Sequence, residues 1–182
     1  WLTEGAAITT IVIGTAIVRL GQIPVTKYGA VNLLSMVAVG GALMAGPRAT
    51  ALGLYAGLFI ADRYLLRKPL EAGWINAGRE VVALIASYGF FAVAHRAIAG
   101  NASTVSTEAL PSIALFLFAQ FFASRALLYF SLLYRDKLLD EEKSLLLRYE
   151  VVSFGLSAVG VATICLTVTN LGVDGWMVVA LL

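Results

Sequence analysis

Six apolar runs, each close to the length of a membrane helix, fill most of residues 5–171, and a seventh opens at Trp176. About 20 apolar residues in an α-helix cross the hydrocarbon core of a bilayer, where each backbone N–H and C=O must be bonded within its own segment. The runs therefore predict an all-α, polytopic transmembrane helical bundle. Charge agrees with that solvent: 13% of the residues are charged and 60% are hydrophobic, where a soluble domain carries about 25% charged residues. There is too little charge here to cover a water-facing surface, so residues 1–182 are expected to form a single integral membrane domain.

Helices are expected near 5–20, 28–45, 48–66, 72–98, 109–134 and 144–170, with a further one from 175 onward. That is six complete spans plus a truncated seventh, since Trp176–Leu182 is far shorter than the ~20 residues a span needs. The start at Trp1 instead of Met carries the same expectation for the N-terminus, and the first run lacks the basic leader of a signal peptide. Pro24, Pro47, Pro69 and Pro111 all fall in connections or in the first turn of a run, where a missing N–H breaks no helical bond. Trp1, Trp74, Trp176, Tyr28, Tyr64, Tyr134 and Tyr149 sit near run ends, as rings anchored at the headgroup level do.

Lys and Arg fix an expected direction. The connections after the first, third and fifth runs hold Arg19 and Lys27, then Arg63, Arg67 and Lys68, then Arg135, Lys137, Lys143 and Arg148; the alternate connections hold only Arg48 and Arg96. By the positive-inside rule the N-terminus lies outside, and a completed seventh helix delivers the chain to the cytoplasm. Alkaline phosphatase fused after residue 100 is accordingly expected to be active, and fused after residue 140 inactive. The reverse pattern overturns the orientation.

Ionisable groups are costly in lipid and must find a partner, water or headgroups. Those inside or beside the runs are Asp62 with Arg63, Arg79 with Glu80, Arg125, and Arg148 with Glu150. On a helix Asn76, Arg79 and Glu80 share one face by their i, i+3, i+4 spacing. Gln120 and Arg125 interrupt the apolar stretch from Leu115 to Tyr134. Asn76, Arg79, Glu80, Gln120, Arg125 and Glu150 are therefore the candidate polar cluster. A salt bridge from Arg125 to Glu80 or Glu150 on a neighbouring helix would satisfy both ions. The alternative is an anion or polar ligand held near Arg125 and Arg79. The link after Arg135 has Lys137 four residues before Glu141 and Asp140 three before Lys143, spacing that suits a salt-bridged helical elbow.

Several chemistries find no residues. Cys165 is alone, so an intramolecular disulfide is impossible, and in its apolar run it reads as a packing residue. The single His95 excludes a His-cluster metal site, and with Arg96 it reads as an interfacial helix end; a chlorin or haem ligand is its other conceivable role. No cofactor is expected. Gly53 and Gly57 have the small-xxx-small spacing of close helix packing, and no phosphate loop, zinc signature or serine or cysteine catalytic set is present. With a net charge of +2 and its basic residues on membrane-adjacent loops, the chain gives nucleic-acid binding no support.

The stretch Trp74-Ile-Asn-Ala-Gly-Arg-Glu-Val-Val-Ala-Leu, the run Ala114–Phe130 with polar positions midway along it, and the charged elbow after Arg135 together resemble the membrane regions that precede HD-type phosphohydrolase (HD-GYP) and diguanylate cyclase domains in bacteria. The resemblance covers roughly residues 72–182, and the fifth run departs from it by carrying Arg125 where a smaller amide is usual. It implies a sensory or anchoring input for cyclic-dinucleotide signalling in the bacterial inner membrane, with the catalytic metal-binding residues in a downstream cytoplasmic domain and none in this segment. Two alternatives stand beside it: a small-molecule-binding component of a transporter, and an accessory subunit of a larger photosynthetic or respiratory complex. The expected partners are the lipid bilayer and either a second copy of the chain or other membrane subunits.

Overall fold

A computed structural model describes residues 4–24, 30–134 and 140–171, with backbone alone at 131–134, 140–143, 168–169 and 171. The order is α1 (Glu4–Leu20), β1 (Ile23–Pro24), β2 (Ala30–Val31), α2 (Leu34–Ile60), a π-helical turn (Ala61–Leu65), α3 (Leu70–Ile98), a 3-10 turn (Thr107–Ala109), α4 (Leu110–Tyr134) and α5 (Asp140–Leu171). The two short strands pair antiparallel, Ile23 opposite Val31. All else of length is helical, as the apolar runs predict.

The span count is corrected. Among the described residues four helical stretches are long and apolar enough to cross a membrane: Leu34–Leu65, Leu70–Ile98, Thr107–Phe130 and Ser144–Thr167. Six complete spans are not supported there. The runs at 28–45 and 48–66 are two arms of one element, because α2 breaks at Gly46, whose φ of 84° and ψ of 161° lie outside the helical region. Only glycine takes that conformation cheaply, and Pro47 follows at once, starting the second arm without needing an N–H. The chain bends sharply there, since a Cβ placed on Gly41 would lie 3.0 Å from Cγ2 of Thr50. The first arm begins only at Leu34, where Asn32 Oδ1 accepts the backbone N–H at 3.2 Å. An arm covering 34–45 spans about 18 Å, well short of the ~30 Å hydrocarbon core. The helix expected from 175, the rings Trp1, Tyr28 and Trp176, and the elbow pairs Lys137/Glu141 and Asp140/Lys143 lie outside the described residues and side chains.

Contacts set the helix directions. Ile11 meets Gly53 and Thr15 meets Gly57, so α1 runs parallel to the second arm of α2. Ile164 meets Gly40, and Gly160 lies against Met36, so α5 runs parallel to the first arm. Helix α4 returns antiparallel along α3, with His95 beside Ser112 and Ser87 beside Gln120. The core between them is apolar and aromatic: Val39, Leu54, Leu58, Leu84, Phe91 and Phe116 are fully buried, and the Phe91 and Phe116 rings stack at 4.9 Å. Large apolar side chains also face outward along the helices, among them Val82, Ile85, Phe90 and Val93 on α3, Phe118 and Phe122 on α4, and Val151 and Val159 on α5. Such faces suit lipid and are a liability in water.

The Gly53/Gly57 spacing does pack a helix. A Cβ on Gly57 would come within 2.7 Å of both the Val12 carbonyl oxygen and Thr15 Cβ, and one on Gly53 within 2.8 Å of Ile11 Cβ. Backbone cannot yield as a flexible side chain can. Gly57→Leu is therefore expected to push α1 off α2 and cost about 1–3 kcal/mol of stability, read by thermal unfolding in detergent. Gly5→Leu, where a Cβ meets nothing within 4 Å, should change little.

Candidate functional site: a buried polar girdle

Asp62 is completely buried where the helix widens, with the Leu66 N–H reaching back five residues to the Ala61 carbonyl at 2.8 Å. A carboxylate in such surroundings persists only with charge and hydrogen-bond partners. Arg19, at the end of α1, supplies a fork: Nε donates to Oδ1 at 2.8 Å and Nη2 to Oδ2 at 3.0 Å. Lys68 Nζ donates to Oδ1 at 2.9 Å and Asn76 Nδ2 to Oδ2 at 2.6 Å. One acid thus ties α1, the end of α2, the following turn and α3 into a single knot. Arg19 completes its shell with Gln22 Oε1 at 3.0 Å.

A second knot joins α3 to α4. Glu80 is 2% exposed; Arg79 Nη2 donates to its Oε1 at 3.1 Å, and Ser124 Oγ lies 2.8 Å from both carboxylate oxygens. One turn and a half away, Ser87 Oγ donates to Gln120 Oε1 at 2.7 Å. A third knot joins α4, α5 and Asn32, two residues ahead of α2. Arg125 Nε donates to Glu150 Oε2 at 2.6 Å, and Tyr129 OH donates to Oε1 at 2.7 Å. Arg125 Nη2 reaches Asn32 Oδ1 at 3.4 Å, and its guanidinium lies 5.2 Å from the Phe121 ring centre, within cation–π range.

The six candidate residues are thus all in the bundle interior or at its edge, yet they divide among different partners. Arg125 takes Glu150, one of its two expected acids; Glu80 goes to Ser124 and its own neighbour Arg79. Asn76 leaves the Arg79/Glu80 pair and serves Asp62. Asp62 and Arg19 stand outside the cluster expected from the sequence, where Asp62 is grouped with Arg63 and Arg19 marks topology. An aspartate flanked by Ile60, Ala61 and Tyr64 does signal a burial problem. Which of four nearby cations solves it is decided only when α1 docks.

His95 has both ring nitrogens engaged, Nε2 at 3.1 Å from the Ala102 carbonyl oxygen and Nδ1 at 3.0 Å from Ser112 Oγ. Since a carbonyl only accepts, Nε2 carries the proton; the ring then fastens the link after α3 to the start of α4 and leaves no nitrogen for a haem or chlorin. Among the described residues no group of three or more His, Cys, Asp or Glu stands close enough to hold a metal ion. Each described buried acid has its oxygens taken up by donors, an arrangement that fixes helices. No protein-family model matches the chain, and no curated protein or solved structure is significantly similar to it.

Proposed function

We propose that this chain is a membrane-embedded sensory or anchoring domain that positions a cytoplasmic signalling output, with its N-terminus outside and no catalysis in these residues. The observation that carries the reading is the third knot. Arg125, Glu150, Tyr129 and Asn32 lock α5 to α4 and to the entry of α2. An input that shifts either helix must break or re-form that knot. A polar contact that can open and close is what a sensor needs and an inert spacer does not. The basic rim formed by Arg19, Arg63, Arg67, Lys68 and Arg148 lies at the same end of the bundle, opposite Arg48 and Arg96, in keeping with a cytoplasmic placement. The bacterial signalling resemblance supplies the class of output, cyclic-dinucleotide turnover.

The test uses the complete gene product in its host, with Arg125→Gln and Glu150→Gln variants matched for abundance in the membrane. Each is expected to change the cellular cyclic-dinucleotide level. An unchanged level in both overturns the sensory role, and a complete product without a cytoplasmic output domain overturns the anchoring role as well.

A second reading, capture of a small polar molecule within the bundle, draws on buried polar atoms that have no partner: Gln120 Nε2, Ser153 Oγ and Ser157 Oγ. Unpaired buried donors are uncommon and ask for a reason. Co-purification with an energy-coupling ATPase favours this reading, and a dry, self-contained bundle removes it.

A further inference from the structure

Asp62 is saturated: its two oxygens already receive four donors from Arg19, Lys68 and Asn76. The remaining cations of the same rim therefore cannot turn to Asp62. Arg63 is exposed and, among the described residues, bonds the Lys68 carbonyl at 3.3 Å. Arg67 is exposed and makes no ion pair among the described residues. The Lys68 side chain is 32% exposed beyond its single ion pair and retains two further N–H donors. Among the described residues of α1's end and of 61–74, Arg19, Arg63, Arg67 and Lys68 face Asp62 and the exposed Glu71, an excess of two positive charges.

Beside these cations the surface turns apolar and aromatic. Tyr64 is 68% exposed and Trp74 54%, and both rings are braced from behind by Phe59, at 6.4 and 5.4 Å between centres. Leu70 stands exposed between them in sequence. Uncompensated donors adjoining braced amphipathic rings match a molecule with an anionic oxygen-rich head and a hydrocarbon body. We infer that the rim formed by Arg63, Arg67, Lys68, Tyr64 and Trp74 binds an anionic phospholipid, the phosphate on the cations and the acyl chains along Leu70 and the two rings. A free phosphate ion would use the cations and gain nothing from the rings, which is why the lipid is the occupant.

Native mass spectrometry of the purified chain in mild detergent tests this with phosphatidylglycerol and phosphatidylcholine. The native chain is expected to retain phosphatidylglycerol in preference. Arg63→Gln and Arg67→Gln should each lower that preference by about fivefold, while Arg48→Gln with Arg96→Gln at the opposite end leaves it unchanged. Retained preference in the Arg63→Gln/Arg67→Gln double variant, or an equal loss in the control pair, overturns the assignment. Displacement of phosphatidylglycerol by millimolar inorganic phosphate also overturns it, in favour of a simple anion site. A second measurement reads position: with Trp1→Phe and Trp176→Phe in place, Trp74 fluorescence should be quenched more strongly by brominated phosphatidylglycerol than by brominated phosphatidylcholine. Equal quenching by the two counts against the site.

Discussion

Asp62→Ala is expected to destabilise the bundle by about 3–5 kcal/mol, the range for removing one partner from a buried ion pair. The loss comes less from the vanished bonds than from what they leave behind. Arg19 is 8% exposed, and without Asp62 its guanidinium keeps only the Gln22 contact while Lys68 and Asn76 lose their acceptor. Asp62→Asn retains the shape and one acceptor oxygen but abolishes the charge, so an intermediate loss follows. Replacing both members, Asp62→Leu with Arg19→Met, should recover much of the stability, because no uncompensated charge stays inside. Reversible unfolding in mixed detergent micelles reads all four proteins. A loss below about 1 kcal/mol for Asp62→Ala, the value of an exposed pair, would show that water or headgroups reach Arg19 and that the knot is not buried in the membrane.

The second large effect is expected at Arg125. Arg125→Ala strands Glu150, itself 8% exposed, with Tyr129 as its remaining partner, and releases Asn32 and the face of Phe121. A penalty again of about 3–5 kcal/mol is expected. Arg125→Lys is the sharper probe, because an ammonium keeps the charge but cannot span Glu150 and Asn32 as a planar fork does. Stability close to the native protein with a lost signalling response would assign Arg125 a working role in the switch. Parallel loss of stability and response would make it a structural brace. Glu150→Gln completes the cycle: an interaction energy near zero between Arg125 and Glu150 would mean that their 2.6 Å contact does not hold α4 to α5.

Local chemistry made much of this fold readable. Prolines and the basic connections marked where helices end because a proline cannot sit inside a helix and a cation cannot sit unpaired in lipid. Pro69 immediately precedes α3, and Pro111 lies in the first turn of α4. The small residues Gly53 and Gly57 advertised a close helix contact without naming α1 as its occupant. Local chemistry failed at Gly46, where a short apolar arm counted as a full span because hydrophobicity alone does not record depth. It failed again at Asn32, whose side chain delays the helix start beyond the point where the apolar run begins.

The sequence alone determined the class of structure, helices long and apolar enough to cross a membrane: in apolar surroundings the backbone has no partner but itself, and the helix is the element that satisfies it. Tertiary structure decided the pairings. Arg19 and Asp62 are 43 residues apart, Arg125 and Asn32 are 93 apart, and nothing local distinguishes these matches from others of equal charge. Helices apolar on nearly every side carry little record of which face turns inward. That rotation is fixed when glycines, aromatic rings and scarce polar groups all find partners at once, and the three polar knots appear only in that packed arrangement.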